Sequence, residues 1–329
     1  RSSEAALKYF LFGAVCSAVM LYGLSLLYGG AGSTNLLDIR RGLAGAPLPV
    51  TLFALCMVLV GLGFKIAMVP LHAWAPDVYE GAPTPVTAFL SVAPKIAGVA
   101  LLLRVLQSGI PAALTENWVT ILALASALTM TVGNLGALRQ TNIKRMLAYS
   151  SIAHAGYMLI GVVAFRTANL HLAPLLYYVL AYVFMNLGAF GVAIIVGEAT
   201  GTDEISRWAG LARRAPALAA MMAVFLLSLT GIPPMAGFVG KLYVFLAAIG
   251  DQRLWWLAVV AIANSVVSLY YYANVLKHMY FGPTGEAGGV PQPVVAGVGV
   301  GLCCAMTLLL GISPGPFLDA ITACIEIIQ

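Results

Sequence analysis

The sequence predicts an all-α, polytopic membrane protein with about nine transmembrane helices, two of them broken, and three observations carry that prediction. Apolar residues make up 61% of the 329 positions and charged residues only 9%, against about 25% charged in an ordinary soluble domain. The apolar residues fall into runs of about 20 or more, long enough to cross a hydrocarbon core of roughly 30 Å. Two of those runs carry a lysine beside clustered glycine and proline.

The spans read as 5–28, 49–71, 84–106, 118–138, 145–165, 172–197, 216–249, 254–277 and 293–312. The tail from Pro314 to Gln329 is too short to span and is expected at the surface. In the second span stand Gly61, Gly63, Lys65 and Pro70, and in the seventh Gly231, Pro233, Pro234, Gly237, Gly240 and Lys241. Proline removes a backbone donor and glycine lets the chain leave helical geometry, so each stretch is expected to contain a break. Unwound backbone inside a membrane must be buried in protein or line a polar cavity. Breaks in corresponding positions mark the repeated halves of transporters.

Charge gives an expected orientation. Nine basic residues outside the lysine-bearing cores (Arg1, Lys8, Arg139, Lys144, Arg145, Arg207, Arg213, Arg214 and Lys277) fall on the side of the N-terminus, and five (Arg40, Arg41, Arg104, Arg166 and Arg253) on the other. The positive-inside rule then puts the start of the chain in the cytoplasm and the C-terminus outside. The net charge of +5 forms no single basic patch, which argues against nucleic acid. Cys16, Cys56, Cys303, Cys304 and Cys324 lack metal-ligand spacing and read as packing residues. Trp118, Trp208, Trp255 and Trp256 read as an interfacial belt.

The chemistry lies in three intramembrane lysines: Lys65 in GLGFKIAMVP, Lys95 in SVAPKIAGVALLL and Lys241 in GFVGKLYVF. A charge at mid-bilayer costs at least about 2.5 kcal/mol on insertion scales, so such residues usually face a protein interior or water and mark an ion path. Near a span end a lysine snorkels instead, an alternative weakest for Lys95. Burial suits lysine to proton transfer, because desolvating an ammonium brings its loaded and unloaded forms closer in free energy. All twelve acidic residues lie in loops or at span ends, so no mid-membrane counter-ion is visible. His154, in YSSIAHAGY, and His72, beside the first break, are possible proton relays or simple helix glue. His171 and His278 read as inert boundary residues. Ser150, Ser151, Tyr149 and Tyr157 surround His154 at helical spacing, and Asn264, Ser265 and Ser268 decorate the eighth span. Hydroxyls and amides of this kind hold water chains, but they are also ordinary glue between membrane helices. GLGFK and GVGVG lack the strand-and-helix context of nucleotide loops, and no nucleophile triad appears.

The stretch GLGFKIAMVPLHAWAPDVYEGAPTPVTAFLSVAPKIAG, followed by RQTNIKRMLAYSSIAHAGYMLIG and TGIPPMAGFVGKLYVF, resembles the subunit N family of bacterial NADH:quinone oxidoreductases, the antiporter-like membrane subunits of respiratory complex I. The resemblance covers nearly the whole chain, and PDVYEGAPTPVTAFLS is its most specific piece, since sister subunits L and M differ there. It implies a single antiporter-like domain over 1–329, matching the sixth to fourteenth helices of about fourteen, with a surface segment at 314–329. It also implies that Lys65, Lys95 and Lys241 form a hydrated proton-translocating row, and that a glutamate partner of the first lysine lies in a span preceding this sequence. Glu4 and Lys8 match polar positions of that family or form an i,i+4 surface pair.

Further implications concern the setting. This chain would bind no cofactor, with FMN, iron–sulfur clusters and quinone in other subunits. Its partners would be antiporter-like subunit M, small subunits J and K and the lipid of a bacterial inner membrane. Mrp-type cation/proton antiporters and proton-pumping membrane hydrogenases share the lysine-in-broken-helix design, and a purely structural scaffold is the rival from another class.

Overall fold

The computed structural model describes residues 2–165, 172–283, 289–290 and 293–328. Arg1, Arg166, His171 and Glu286 lie outside them. Among the described residues there is no strand, and eight helices are long and apolar enough to cross a membrane.

The chain opens with α1 (Ser2–Ala31), whose 30 residues extend about 45 Å. Only a narrow face is buried, against α3 (Leu48–Ile66). The two backbones approach closely because Gly23 faces Ala54: a Cβ there would stand 2.8 Å from the Ala54 carbonyl oxygen. The short α2 (Leu36–Gly42), capped by Asn35, lies between them. Helix α3 stops at Ala67, whose left-handed backbone (φ 58°) turns the chain into α4 (Trp74–Gly81). Next, α5 (Thr84–Arg104) contains Pro94, which cannot donate to Leu90 O; the Tyr79 hydroxyl donates to that carbonyl instead, at 3.3 Å.

Helices α6 (Thr115–Ala137) and α7 (Ile143–Ala164) pack along each other, and α7 is almost wholly buried, enclosed by α4, α5, α6, α8 (Leu172–Thr200) and α11 (Ala236–Ile249). After the single turn α9 (Leu211–Arg214), α10 (Pro216–Thr230) precedes α11, and α12 (Trp255–Phe281), α13 (Val294–Ile312) and α14 (Gly315–Ile328) complete the chain. The seventh expected span, 216–249, is therefore two short helices separated at Gly231–Met235. The tail is helical: Phe317, Leu318 and Ile321 of α14 lie against Tyr177 and Ala181 of α8.

Two surface expectations are corrected. Trp208 and Trp118 sit inside the protein, not in a lipid-facing belt, whereas Trp255 is exposed. Lys144, counted among loop charges, is buried at the start of α7, where it pairs with Asp203 at 3.3 Å and donates to Ala82 O at 2.8 Å. Its charge is used internally, to hold α4's end to the loop after α8.

Candidate functional site: a buried lysine–histidine–lysine network

Pro94 places Lys95 at a point where α5 faces α7. Its side chain is 1% exposed, and Nζ donates to both the carbonyl and the hydroxyl oxygen of Ser151, each at 2.5 Å. Ser151 in turn hydrogen-bonds the Tyr182 hydroxyl at 2.8 Å; Tyr182 donates to Ser91 O at 3.2 Å, and Asn186 Nδ2 to Ser91 Oγ at 2.6 Å.

One turn along α7, His154 is also buried. Its Nδ1 lies 2.6 Å from the Tyr178 hydroxyl and its Nε2 3.5 Å from that of Tyr272, which bonds Ser150. The ring packs against Tyr182 and Tyr157, with centroids 5.3 and 5.6 Å away. His154 thus stands between the lysine clusters.

Lys241, on α11, is 3% exposed. Its Nζ donates to Leu229 O at 3.0 Å, Thr230 O at 2.9 Å and Ser265 Oγ at 3.3 Å, and lies 4.5 Å from the centre of the Tyr157 ring. The two carbonyls belong to the last turn of α10, which has no further helical N–H to meet them and carries the negative end of the helix dipole. The break therefore creates the acceptors that hold Nζ. Ser265 reaches the Tyr157 hydroxyl at 3.3 Å, and Asn134, Asn264 and Tyr271 extend the polar cluster between α6 and α12.

No ion pair among the described residues involves Lys65, Lys95 or Lys241. Charged or neutral, the buried two have carbonyl, hydroxyl and ring partners only. Nor do three His, Cys, Asp or Glu side chains converge there as a metal site would require.

Lys65 is exposed in the last turn of α3, and its Nζ lies 5.4 and 5.7 Å from the centres of the Phe64 and Tyr9 rings. His72, in the turn before α4, has a buried Nδ1 without a hydrogen-bond partner and no described bond to the network. The sequence reading missed Tyr178, Tyr182 and Asn186, although their spacing of four along α8 puts three polar groups on one helix face.

A second polar cluster lies where α1, α4 and α7 meet. Lys8 bridges Glu4 at 2.8 Å and Asp77 at 2.7 Å, while Arg145 reaches Asp77 at 2.6 Å and Glu80 at 3.0 Å. Lys8, and after it Arg145, hold the Asp77 carboxyl below the usual carboxylate range. The pair Glu4–Lys8 is thus more than a local one, since it ties α1 to the first break.

The family model for the transmembrane part of NADH:quinone oxidoreductase/Mrp antiporter subunits matches residues 1–268. NADH-quinone oxidoreductase subunit N of Heliobacterium modesticaldum is 47% identical over 98% of this chain and 67% of its own length. Among solved structures, a chain of respiratory complex I from Thermus thermophilus with bound aureothin is 41% identical with a TM-score of 0.81, covering 96% of this chain and 68% of that one. A chain of the membrane-bound sulfane sulfur reductase, an archaeal respiratory membrane complex, superposes with a TM-score of 0.88 at 28% identity, covering 98% of this chain and 66% of that one. The chain spans about two thirds of the length of each. Shape alone therefore does not choose among these complexes; the sequence identity does. This chain belongs to the NADH:quinone oxidoreductase/Mrp antiporter family of membrane subunits, on its subunit N branch.

Proposed function

We propose that this chain carries protons through the membrane part of an NADH:quinone oxidoreductase, along the interior network from Lys95 through His154 to Lys241. The observation that carries the reading is the enclosure of two lysines with no carboxylate beside them, in hydroxyl-rich clusters that meet at one histidine. A scaffold needs no amine at Lys95, where an apolar side chain would fill the same space without the cost of burying one. A pump needs groups that accept and release a proton away from both water phases.

In this reading Lys65, at the exposed face of α3, is the end of the row that meets neighbouring protein, and His72 takes no part. Moving each charge against 100 mV costs about 2.3 kcal/mol, so the energy must come from redox chemistry in other subunits, which hold the FMN, iron–sulfur clusters and quinone. The neighbours would be antiporter-like subunit M and small subunits J and K, in a bacterial inner membrane, with the N-terminus of α1 cytoplasmic and the C-terminus outside. The Mrp-antiporter reading shares this geometry, and the identity to subunit N proteins argues against it. Replacing Lys95 by Ala in the whole complex tests the reading: in proteoliposomes the assembled variant should lose redox-linked proton pumping, and undiminished pumping would remove Lys95 from the path.

A further inference from the structure

We propose that a groove between α2, the end of α5, the start of α8 and α14 holds the headgroup of an anionic phospholipid. Its cavity of 770 Å³ is lined by two arginines, Arg40 and Arg104, by polar Gln107 and Ser108, and by apolar side chains such as Leu36 and Leu172. A smaller cavity of 210 Å³ continues from it, sharing Arg40, Gln107 and Phe165.

Charge selects the occupant. Arg40 donates one Nη1 bond to Gln107 O at 3.2 Å and makes no ion pair with a described residue. Arg104 makes neither a hydrogen bond nor an ion pair with one. Of the acids close in sequence, Asp38 is engaged by Arg41 at 3.5 Å and Glu326 does not line the groove. Two guanidinium groups without a carboxylate therefore converge on one cavity.

The level in the fold points the same way. Arg104, Gln107 and Ser108 lie in the last turns of the span Thr84–Gly109, Leu172 is the first residue of α8, and Phe165 is the cap of α7, so the groove opens near the ends of spanning helices. Planar guanidinium donors match a phosphodiester in shape and charge, and both arginines lie near the ends of spanning helices, where lipid headgroups stand. The leucines suit the glycerol backbone and the first acyl methylenes. A zwitterionic lipid brings the same phosphate but also an ammonium that meets two like charges. A carboxylate from a neighbouring subunit is the protein alternative.

The test uses the assembled complex in phosphatidylcholine vesicles with a trace of photoreactive phosphatidylglycerol. Cross-links should map to the peptides carrying Arg40, Arg104 and Cys324, and unlabelled phosphatidylglycerol should compete where added phosphatidylcholine does not. The double variant R40Q/R104Q should bind the probe roughly 25-fold more weakly, from about a fivefold contribution per arginine. The double variant R40K/R104K, which keeps both charges, should retain most of the labelling. Labelling spread evenly over the lipid-facing helices, equal competition by phosphatidylcholine, or a groove peptide cross-linked to another subunit would overturn the assignment. If the glutamine variant fails to assemble, the competition experiment on the wild-type complex still decides.

Discussion

The two helix breaks carry the same residue types and close in different ways. At the first, Met68 N–H donates to Gly63 O at 2.8 Å and the Trp74 indole to Phe64 O at 3.1 Å, so neutral donors finish α3 and Lys65 is left outside. At the second, Gly231, with φ +93°, bends the backbone away, and Lys241 Nζ meets the last two carbonyls of α10. One lysine borders a break; the other caps one. The difference teaches that a lysine–glycine–proline cluster marks a break without saying which group satisfies it, and that Lys241 has a structural role that Lys65 lacks.

That contrast is open to direct attack. Replacing Lys241 by Met strips the Nζ donor from two buried carbonyls and should cost about 2–3 kcal/mol, read as a lower unfolding temperature of the purified complex. The same change at Lys65 should cost under about 0.5 kcal/mol, since its Nζ has no described hydrogen bond. Equal losses would erase the distinction. Trp74→Phe removes one of two donors to Phe64 O, which keeps the Ala67 N–H at 3.1 Å, and should cost about 1 kcal/mol, yet leave the ratio of protons pumped to quinone reduced unchanged. Tyr157→Phe sharpens the other side: it keeps the ring over Lys241 but removes the hydroxyl joining Ser265 to Asn134, costing about 1 kcal/mol and slowing pumping.

A modest effect belongs to the cluster that ties the first break to α1 and α7. Asp77→Asn should cost roughly 0.5–1 kcal/mol, limited by solvent screening of these partly exposed pairs. Because the folded carboxyl is held below its usual range, its contribution is complete above that range and fades as pH falls through the lower folded value. The stability gap between wild type and variant should therefore stay constant around neutrality and shrink in acid. A gap that widens in acid would contradict the pairing.

Much of this was legible in the sequence. Lys95 and Lys241 announce themselves because a lysine deep in an apolar run must be enclosed or solvated, and the breaks follow from proline and glycine beside them. The exposure of Lys65 was not legible, since helical periodicity gives a face but not the neighbour that covers it. Trp208 misled for a related reason: tryptophan near a span end suits an interfacial belt and a buried helix junction equally, and only packing decides. Tyr178 and Tyr182 were hidden by ambiguity of another kind, because tyrosine is as common in apolar packing as in hydroxyl networks until its partners are known.

The central claim is that protons pass between Lys95 and Lys241 by way of His154. The most direct measurement is the number of protons pumped per quinone reduced by an assembled complex carrying His154→Leu, which removes both ring nitrogens while keeping an apolar group of similar bulk between the tyrosines. The network requires that ratio to fall while NADH-driven quinone reduction continues. A ratio equal to that of the wild type would show that the two lysines do not communicate through this histidine.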